Sequence, residues 1–405
     1  MIRVGFIQEF AGNGWLGGTS YYRNLFSAIR DLPDRRIDAV LITSDSSLEA
    51  LRIQFPDMPI VRLPLLGASS LVGKARRGMR ALFGRDPLLE RALKSEDIRI
   101  LSHSGYFGRR SPVASIVWIP DFQELSYPEF FSRTEIASRY RNAIRSSRHA
   151  STVLLSSEAA LTDLRRIGIE EVDTAVLPFV ATVPPAAESL PRDQLETKYG
   201  LADRFFHLPN QFWIHKNHAV VLQALALLRQ QGKMFQVVAT GNTADPRQPG
   251  HFSSLMATAH ELDVDDLFKS LGVVPYQDLM SLMRHAVAVI NPSKFEGWST
   301  TVEEAKSMGK TIVLSDISVH REQAPDRAAF FLPDDAGQLA DRMSEVWDRW
   351  DVHADAQLID RAAANLAARR EAFARRYEEI VLATLARHGP GKKPVAASDQ
   401  SPLSR

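Results

Sequence analysis

Residues 291–322 read NPSKFEGWSTTVEEAKSMGKTIVLSDISVHRE, and this stretch decides the fold. The apolar run 287–290 predicts a strand that leads into a polar loop containing Gly297. A helix is predicted to begin near Ser299–Thr301, and the apolar run 311–314 predicts the next strand. A strand, a helix and a strand in this order indicate a parallel sheet covered by helices.

The same alternation extends over the 405 residues of the chain. Short apolar, β-rich runs predict strands at 3–8, 39–43, 60–63, 98–102, 113–119, 152–155, 174–177, 205–208, 235–239, 286–291, 311–314 and 329–332. Longer amphipathic stretches predict helices at 21–31, 133–149, 159–167, 217–231, 276–285 and 301–308, with helical sequence again after Pro333 to about Leu385. The fold class is therefore α/β with two parallel sheets.

A proline-rich stretch, PFVATVPPAAESLP at 178–191, marks the connection between two domains. Proline disfavours both helix interiors and central strands. The final stretch is rich in Gly, Pro, Ser and Lys, which is typical of disorder. The predicted boundaries are a first domain at 1–178, a linker at 179–191, a second domain at 192–369, a helix at 370–387 and a disordered tail at 388–405.

Composition excludes several classes of protein. The chain has 49 Lys and Arg against 48 Asp and Glu, whereas a protein that coats nucleic acid shows a strong basic excess. Cysteine is absent, which excludes disulfides, thiolate zinc sites and a cysteine nucleophile. The amino-terminal MIRVGFIQEF resembles a strand more than a signal peptide, and no apolar stretch is long enough to span a bilayer. We expect a cytoplasmic protein, or one peripheral to the inner face of the membrane.

The loop that precedes the predicted helix start at Ser299–Thr301 has the features of a phosphate site. Ligands of open α/β sheets bind at the carboxyl ends of strands, and the amides at Ser299–Thr301 and the helix dipole favour an anion. Glu296 lies in the loop and Glu304 about one turn into the helix. Carboxylates beside a phosphate site are suited to accept hydrogen bonds from sugar hydroxyls, which is a nucleotide-sugar pattern.

A structural interpretation of the same residues stays open. Thr300 with Glu303, and Thr301 with Glu304, each match a capping box, in which the glutamate only satisfies backbone amides at the start of a helix.

Glu296 and Glu304, with seven residues between them, resemble the E-x7-E signature of retaining glycosyltransferases of family 4. The segments FEGW, EEAKSMGK, VLSDI and RE follow the order usual in that family. Their sequence is similar to that of bacterial mannosyltransferase-like members. The resemblance implies the GT-B fold, with two Rossmann-like domains facing an interdomain cleft and the 370–387 helix packing back on the first. It also implies that Glu304 binds the donor ribose, and that Glu296 contacts the donor sugar or supports the reacting centre.

A second donor element lies in LPNQFWIHKNHAVVLQAL at 208–225, where a helix follows a predicted strand. Lys216 can neutralise a diphosphate as a point charge, although a single lysine is more often only solvated. The family usually has an arginine and a lysine five residues apart here. Lys216 matches the lysine, but Gln211 stands in place of the arginine. The resemblance implies that no metal cofactor is needed, although His215 and His218 flank the lysine.

The amino-terminal half supplies further candidates. The stretch AGNGWLGGTSYYRNL resembles the family's first glycine-rich loop, which places Gly17 and Gly18 near the donor phosphate and the acceptor; a mobile surface loop is the alternative. His103 and Asp121 each follow a predicted strand, and Asp121 matches the second residue of a frequent His-Asp pair whose histidine is Pro120 here. Asp121 is suited to accept the acceptor's proton, with Glu124 a weaker candidate, whereas His103 has a structural role as its alternative.

The predicted site can be stated in full. The predicted catalytic residues are Asp121, His103, Glu296 and Lys216, and the predicted substrate-binding residues are Gly17, Gly18, Gln211, Lys216, Gly297, Ser299, Thr300, Thr301 and Glu304.

Residues 71–85, LVGKARRGMRALFGR, hold five basic residues and no acidic ones, with apolar side chains at helical spacing. This pattern fits an amphipathic helix that docks on an anionic membrane surface. An ordinary core-facing helix with solvated arginines fits it equally.

The sequence therefore predicts a glycosyltransferase that moves a sugar, with GDP-mannose as the expected donor, to a polysaccharide or lipid-linked glycan acceptor. The resemblance implies retention of anomeric configuration. The alternatives are another GT-B enzyme, such as an epimerase or a phosphorylase, and a non-catalytic nucleotide- or glycan-binding subunit. Gln211 and Pro120 keep the non-catalytic alternative open.

Overall fold

The computed structural model describes residues 1–9, 16–67, 72–73, 75–76, 78–79, 85–105, 107 and 111–388. The chain divides into two compact units, Met1–Phe179 with Arg369–Arg405, and Val180–Ala368. Within the described ranges, no helix is both long enough and apolar enough to cross a membrane.

The first unit is built on a parallel sheet in the order β3-β2-β1-β4-β5-β6-β7. Its strands are β1 (Ile2–Ile7), β2 (Ile37–Thr43), β3 (Ile60–Arg62), β4 (Ile98–Ser102), β5 (Ala114–Ile119), β6 (Thr152–Leu155) and β7 (Thr174–Val176). Its helices are α1 (Leu16–Asp31), α2 (Leu48–Gln54), α3 (Pro87–Ser95), α4 (Gln123–Ser126), α5 (Arg133–His149) and α6 (Glu158–Arg166), with 3₁₀ helices at Pro64–Leu66 and Pro128–Phe130.

The second unit repeats this plan with the order β10-β9-β8-β11-β12-β13, again all parallel. Its strands are β8 (Phe205–Leu208), β9 (Gln236–Ala239), β10 (Phe268–Ser270), β11 (Val289–Asn291), β12 (Ile312–Ser315) and β13 (Ala328–Phe331). Its helices are α7 (Arg192–Tyr199), α8 (His218–Gln230), α9 (His251–Glu261), α10 (Tyr276–His285), α11 (Thr300–Met308), α12 (Ser318–Gln323) and α13 (Ala336–Arg349), with 3₁₀ helices at Ala186–Glu188 and Ile214–Lys216. Helix α14 (Val352–Arg387) begins in this unit and ends in the first.

The strands of both sheets are rich in buried apolar residues, so each sheet needs a layer of helices on both of its faces. All four residues of β6, β8 and β12 are buried, as expected of parallel strands between helix layers. In the second unit, side chains of β8, β9 and β11 share one core with α8, α9 and α13. Local signals set the helix starts, since Ser132 forms a complete capping box with Glu135 at α5.

The strand order fixes where a ligand site can form. In each sheet the order reverses direction beside the first strand of its unit, between β1 and β4 and between β8 and β11. Loops that leave such neighbouring strands at their carboxyl ends diverge, and the crevice between them is where ligands bind in open α/β sheets. The loops after β8 and β11 are the ones in which Lys216 and Glu296 lie.

The start of α14 is tied to the second unit by buried charges. The Nζ atom of Lys310, a residue with 1% exposure, forms an ion pair with Asp355 and donates to the carbonyls of Arg284 (3.1 Å) and Ala286 (2.7 Å). Arg327 binds the other oxygen of Asp355 at 2.8 Å. Burial lowers the pKa of Lys310 to about 8, although the carboxylate of Asp355 acts in the opposite direction.

The end of α14 is integral to the first unit. Tyr377 is fully buried, with its ring 6.3 Å from that of Phe6. The carboxylate of Glu378 accepts hydrogen bonds from the Arg36 amide (2.5 Å) and guanidinium (2.9 Å). The part of α14 after Ala368 is thus part of the first core.

Some elements differ from those that the sequence predicts. Strand β10 was not predicted, because FKS carries too short an apolar run. Helix α1 begins at Leu16, so Gly17 and Gly18 lie in its first turn and not in a loop. Segment 180–191 packs in the second unit, where the Leu190 amide donates to Ser281 (2.9 Å). The predicted disordered tail, apart from His388, lies outside the described residues.

Removing the carboxylate that holds Lys310 tests the buried ion pair. We expect Asp355→Ala to lower the free energy of unfolding by about 3–5 kcal/mol, because it leaves a buried ammonium group without a counter-charge. Urea unfolding of the full chain measures this loss. Glu379→Ala removes an exposed pair with Arg376 and should cost no more than about 1 kcal/mol.

Adding Lys310→Met to Asp355→Ala should recover part of the lost stability, because the uncompensated charge is then gone. An equal loss in the single and double variants would contradict this account.

Candidate active site

The two loops at the reversal point of the second sheet are joined by hydrogen bonds. The Lys294 amide donates to the carbonyl of His215 at 2.9 Å. Asn210 and Asn291, the polar residues at the ends of the two strands, are linked side chain to side chain at 3.2 Å. Asn217 adopts a left-handed conformation (φ 57°), and its side-chain amide donates to the backbone carbonyls of Pro292 and Pro333. The loops are therefore a fixed frame.

This frame brings Lys216 and Glu296 together. The Lys216 Nζ atom lies 2.7 Å from the Glu296 carboxylate, and the side chains are only 13% and 9% exposed. Burial by itself raises the pKa of Glu296, but the nearby Lys216 and His320 outweigh it and hold that pKa below its usual value. Glu296 is therefore a carboxylate at neutral pH, and both of its oxygens can only accept hydrogen bonds.

His320, on α12, is a further neighbour of this pair. Its Nδ1 atom lies 2.9 Å from the carbonyl of Ser315, which can only accept, so Nδ1 carries the proton and Nε2 holds a lone pair. Nε2 is buried and has no hydrogen-bond partner among the described residues. Burial lowers the pKa of His320 to about 4, so the ring is neutral at pH 7.

The start of α11 is capped by Ser299, whose hydroxyl accepts a hydrogen bond from the Val302 amide. Neither predicted capping box forms, because the cap lies one residue before Thr300 and two before Thr301. The Thr301 hydroxyl donates to the carbonyl of Pro209 at 3.1 Å, which ties the helix to the β8 loop. The amides of Thr300 and Thr301 lie in the first turn, where no carbonyl of the same helix reaches them.

A layer of buried amides supports this helix start. The Gln323 side chain accepts from the Ser299 amide (3.2 Å) and donates to the Ser299 carbonyl (3.0 Å). Asn291 donates to the Ser299 hydroxyl at 2.9 Å. Gly297 and Thr300 are partly exposed between these fixed points, so the predicted phosphate site remains reachable from solvent.

Glu304 lies farther along α11 in a different environment. The residue is 6% exposed, and the Tyr276 hydroxyl of α10 is near its carboxyl group. Burial raises the pKa of Glu304 to about 8, because the phenol only partly offsets the loss of water. The two predicted glutamates thus have opposite pKa shifts.

Gln211 stands in place of an arginine, and its side chain is hydrogen-bonded to another loop of the protein. Its Oε1 atom accepts a hydrogen bond from the Asn242 amide at 3.1 Å. The adjacent Gly241 has φ 150°, and a Cβ atom there would lie 2.3 Å from the Asn210 carbonyl oxygen. Only glycine allows this close approach of the β8 and β9 loops.

The first unit places His103 directly after β4, in a left-handed conformation (φ 57°). Its Nε2 atom lies 2.7 Å from the Tyr21 hydroxyl, and its Nδ1 atom lies 2.8 Å from the Ser102 hydroxyl. The ring is enclosed by aromatic neighbours that include Trp118 and Tyr377. Burial lowers the pKa of His103 to about 3, so the ring is neutral. Each of its two nitrogens has a hydrogen-bond partner.

Asp121 follows β5 in the same unit. It accepts a hydrogen bond from the Gln123 amide at 3.2 Å, which fixes the start of α4. Glu124 is ion-paired with Arg139 at 3.0 Å and is buried. Burial raises the pKa of Glu124 above its ordinary range, to which the nearby Asp121 contributes.

The basic segment at 71–85 is described only in part, since Lys74, Arg77 and Arg80 lie outside the described residues. Arg76 is 12% exposed and forms an ion pair with Asp86 at 2.8 Å. Arg85 binds Glu90 at 2.6 Å. These two arginines are engaged by the protein, so membrane docking of this segment depends on its remaining cations.

Comparison with solved structures relates this architecture to known proteins. HepE of Anabaena, in complex with UDP and glucose, has a TM-score of 0.67 and 17% identity over 95% of this chain and 100% of its own. Sucrose-phosphate synthase of Thermosynechococcus elongatus has a TM-score of 0.63 and 15% identity, again over 95% and 100%. WaaG, a glycosyltransferase involved in lipopolysaccharide biosynthesis, has a TM-score of 0.56 and 15% identity over 96% and 100%.

This is the GT-B fold. Two parallel α/β units with these strand orders confirm the predicted fold class. Residues 198–364, most of the second unit, match the model of the family described as glycosyl transferases group 1. No curated protein sequence matches the chain.

Sequence reasoning missed several residues of the site. Asn210 and Asn291 carry a signal, since each is a polar residue at the end of an apolar run and is buried. Tyr276, His320 and Gln323 carry none, because they reach the site from α10 and α12, whose packing no spacing reveals. Among the residues that the structure describes, no group of three or more His, Asp and Glu side chains could hold a metal ion.

The raised pKa of Glu304 predicts a pH-dependent penalty on stability. The folded chain binds this proton up to about pH 8, whereas an unfolded glutamate loses it near pH 4.3. Stability therefore falls as pH rises between these values. We expect Glu304→Gln to be nearly neutral at pH 5 and to stabilise the chain by roughly 2–4 kcal/mol at pH 7.5.

Urea unfolding at the two pH values measures the difference between variant and parent, which removes the titration of other groups. Glu296→Gln is the matched control, because the pKa of Glu296 is lowered and the substitution should bring no gain at pH 7.5. A Glu304→Gln difference that is constant with pH would count against a buried, proton-holding carboxyl.

Proposed function

We propose that this protein is a nucleotide-sugar-dependent glycosyltransferase whose donor site lies at the carboxyl edge of the second sheet. The observation that carries the proposal is the buried Lys216–Glu296 pair beside the first turn of α11, with Glu304 on the same helix. An ammonium group, helix amides, the carboxylate of Glu296 and the carboxyl group of Glu304 suit a ligand with phosphates in the middle and sugar hydroxyls on either side.

Each group has a role that follows from its chemistry. Breaking the bond between sugar and phosphate leaves negative charge on the diphosphate. Lys216 and the amides of Thr300 and Thr301 can stabilise that charge without rearrangement. Glu296 remains ionised and can hold donor sugar hydroxyls, and Glu304 can bind the ribose. Because these residues supply the stabilising charges, we propose that transfer needs no bound metal.

The donor we propose is GDP-mannose, on the likeness of residues 291–322 to bacterial mannosyltransferase-like sequences. A UDP-hexose is the second candidate, because HepE, which has the same fold, is known in complexes with UDP, with UDP and glucose, and with UDP-glucose. The acceptor we propose is a hydroxyl group of a polysaccharide or a lipid-linked glycan. We also propose retention of anomeric configuration, which proton NMR of the product measures.

A non-catalytic nucleotide- or glycan-binding subunit is the second candidate function. It is favoured by Gln211, which adds no charge and is bonded to the Asn242 amide. Retention of the costly buried pair Lys216–Glu296 favours the enzyme. The acceptor-side roles proposed for Asp121, His103, Gly17 and Gly18 belong to the enzyme alone. The proposed location is cytoplasmic, with the 71–85 segment as a contact to the inner membrane face.

Removing either charge of the central pair tests the enzyme. We expect Lys216→Ala and Glu296→Ala each to lower sugar transfer by about 100-fold or more, because preorganised charge at the reacting centre is lost. Transfer from GDP-mannose and UDP-glucose to lipid-linked glycan is the measurement. Lys269→Ala is the matched control, since this lysine donates to the Gly200 carbonyl elsewhere in the unit and its loss should leave transfer within about twofold.

Calorimetry with GDP, UDP, dTDP and ADP separates the two candidate functions. Binding of one nucleotide together with transfer supports the enzyme. Binding without transfer of any donor supports the subunit. Unchanged transfer in both the Lys216→Ala and Glu296→Ala variants would refute the site.

A further inference from the structure

The loop after β9 is hydrogen-bonded to the loop that carries Lys216. The Phe212 amide donates to the Asn242 carbonyl at 3.0 Å, and the Asn242 amide donates in return to the Gln211 side chain at 3.1 Å. The two loops therefore form one surface at the carboxyl edge of the second sheet.

Asp245 fixes the next part of the β9 loop. It is 7% exposed, and its two carboxylate oxygens accept hydrogen bonds from two different backbone amides. One is the amide of Ile214 at 3.2 Å, and the other is the amide of Arg247 at 3.0 Å. Ile214 begins the 3₁₀ helix that ends at Lys216. One carboxylate thus holds the backbone of Arg247 next to the turn that carries Lys216.

The Arg247 side chain lies over the start of the same turn. Arg247 is exposed, and its guanidinium carbon is 5.9 Å from the centre of the Trp213 ring. Trp213 directly precedes the turn, and its carbonyl accepts a hydrogen bond from the Lys216 amide at 2.8 Å. A second cation is therefore placed at the turn that presents the Lys216 ammonium group.

The charges around this turn are unfavourable for a diphosphate unless Arg247 is counted. The ammonium group of Lys216 is balanced by the Glu296 carboxylate at 2.7 Å, and Asp245 adds a further negative charge. Without Arg247 a phosphate group meets a net negative frame, and like charges at short range repel. The guanidinium of Arg247 balances the charge of Asp245, so it removes this repulsion.

Two other nitrogen-bearing side chains of these loops do not change this sum. Burial lowers the pKa of His215 to about 3, so its ring is neutral at pH 7. Lys294, on the loop after β11, is ion-paired with Asp334. The balance between repulsion and attraction of an anion at this turn therefore depends on Arg247.

We propose that Arg247 is a phosphate ligand of the donor, and that its guanidinium turns from Trp213 onto the diphosphate when a nucleotide binds beside Lys216. This inference rests on the proposed function, since it needs the diphosphate to lie at Lys216. The planar guanidinium offers several N–H donors to phosphate oxygens. Contact with an exposed ring is weaker than a charge-assisted hydrogen bond, so the exchange is favourable.

The inference also gives Gln211 a structural role. Its side-chain oxygen accepts the Asn242 amide and so attaches the loop that carries Arg247. An arginine at position 211 has no acceptor atom and would lose this hydrogen bond. A neutral residue at 211 and a cation at 247 are thus two parts of one arrangement.

Arg247→Gln tests the proposal, because it removes the charge and keeps a polar side chain. Calorimetry with UDP and GDP should show about tenfold weaker binding of the nucleotide that binds the parent chain. Arg247→Lys should lose less than about threefold, because the charge remains. Raising the salt concentration from about 0.05 M to about 0.5 M should reduce the deficit of Arg247→Gln, since salt screens an exposed charge.

Arg342→Gln is the matched control. Arg342 lies on α13 of the same unit and is ion-paired within its own helix, with Glu345 at 2.6 Å. This variant makes the same change of charge away from the loops and should leave nucleotide affinity within about twofold. Thermal unfolding of each variant checks that it remains folded.

The outcomes separate this inference from the proposed function. If neither UDP nor GDP binds the parent chain, the proposed function and this inference both fail. If one binds, and Lys216→Ala loses affinity while Arg247→Gln does not, the donor site stands and only the role of Arg247 is overturned. Equal losses in Arg247→Gln and Arg247→Lys that do not change with salt overturn it too, because the charge is then not what binds the phosphate.

Discussion

The second unit depends on one constraint, which is that Lys216 and Glu296 are buried together. Neither charge is stable alone in this position, since removing a partner from a buried pair leaves an uncompensated charge in a medium of low dielectric constant. The surrounding contacts hold the two loops in register. The backbone amide of Lys294 donates a hydrogen bond to the His215 carbonyl. The side-chain amide of Asn217 donates to the carbonyls of Pro292 and Pro333. A site with this arrangement is preformed before a ligand arrives.

The two glutamates of the predicted signature illustrate how environment assigns different states to the same side chain. Glu296 has an ammonium group at 2.7 Å, and its pKa is lowered despite its burial. Glu304 has the neutral Tyr276 hydroxyl nearby, and burial raises its pKa to about 8. Groups whose environments move their pKa values apart are typical of functional sites. The difference arises from partners on other elements, so the E-x7-E spacing alone does not contain it.

Much of the fold follows from the sequence because strand and helix periods are local properties. Strands such as β6 and β8 are short, mostly apolar and wholly buried, and the prediction placed both at the residues where they occur. β10 was missed because its three residues have no such pattern. Lys216, Glu296 and Glu304 could be selected from motifs. Tyr276, His320 and Gln323 could not, since they reach the site through tertiary packing of α10 and α12.

Helix α14 determines the order in which the residues of the two units become available for folding. The first unit consists of residues up to Phe179 together with residues from Arg369 onward, and Tyr377 and Glu378 are buried within it. The second unit is continuous in sequence. During synthesis on the ribosome, the second unit can be complete while the first still lacks the helix that covers Phe6. The half of the chain made first is therefore the last to finish folding.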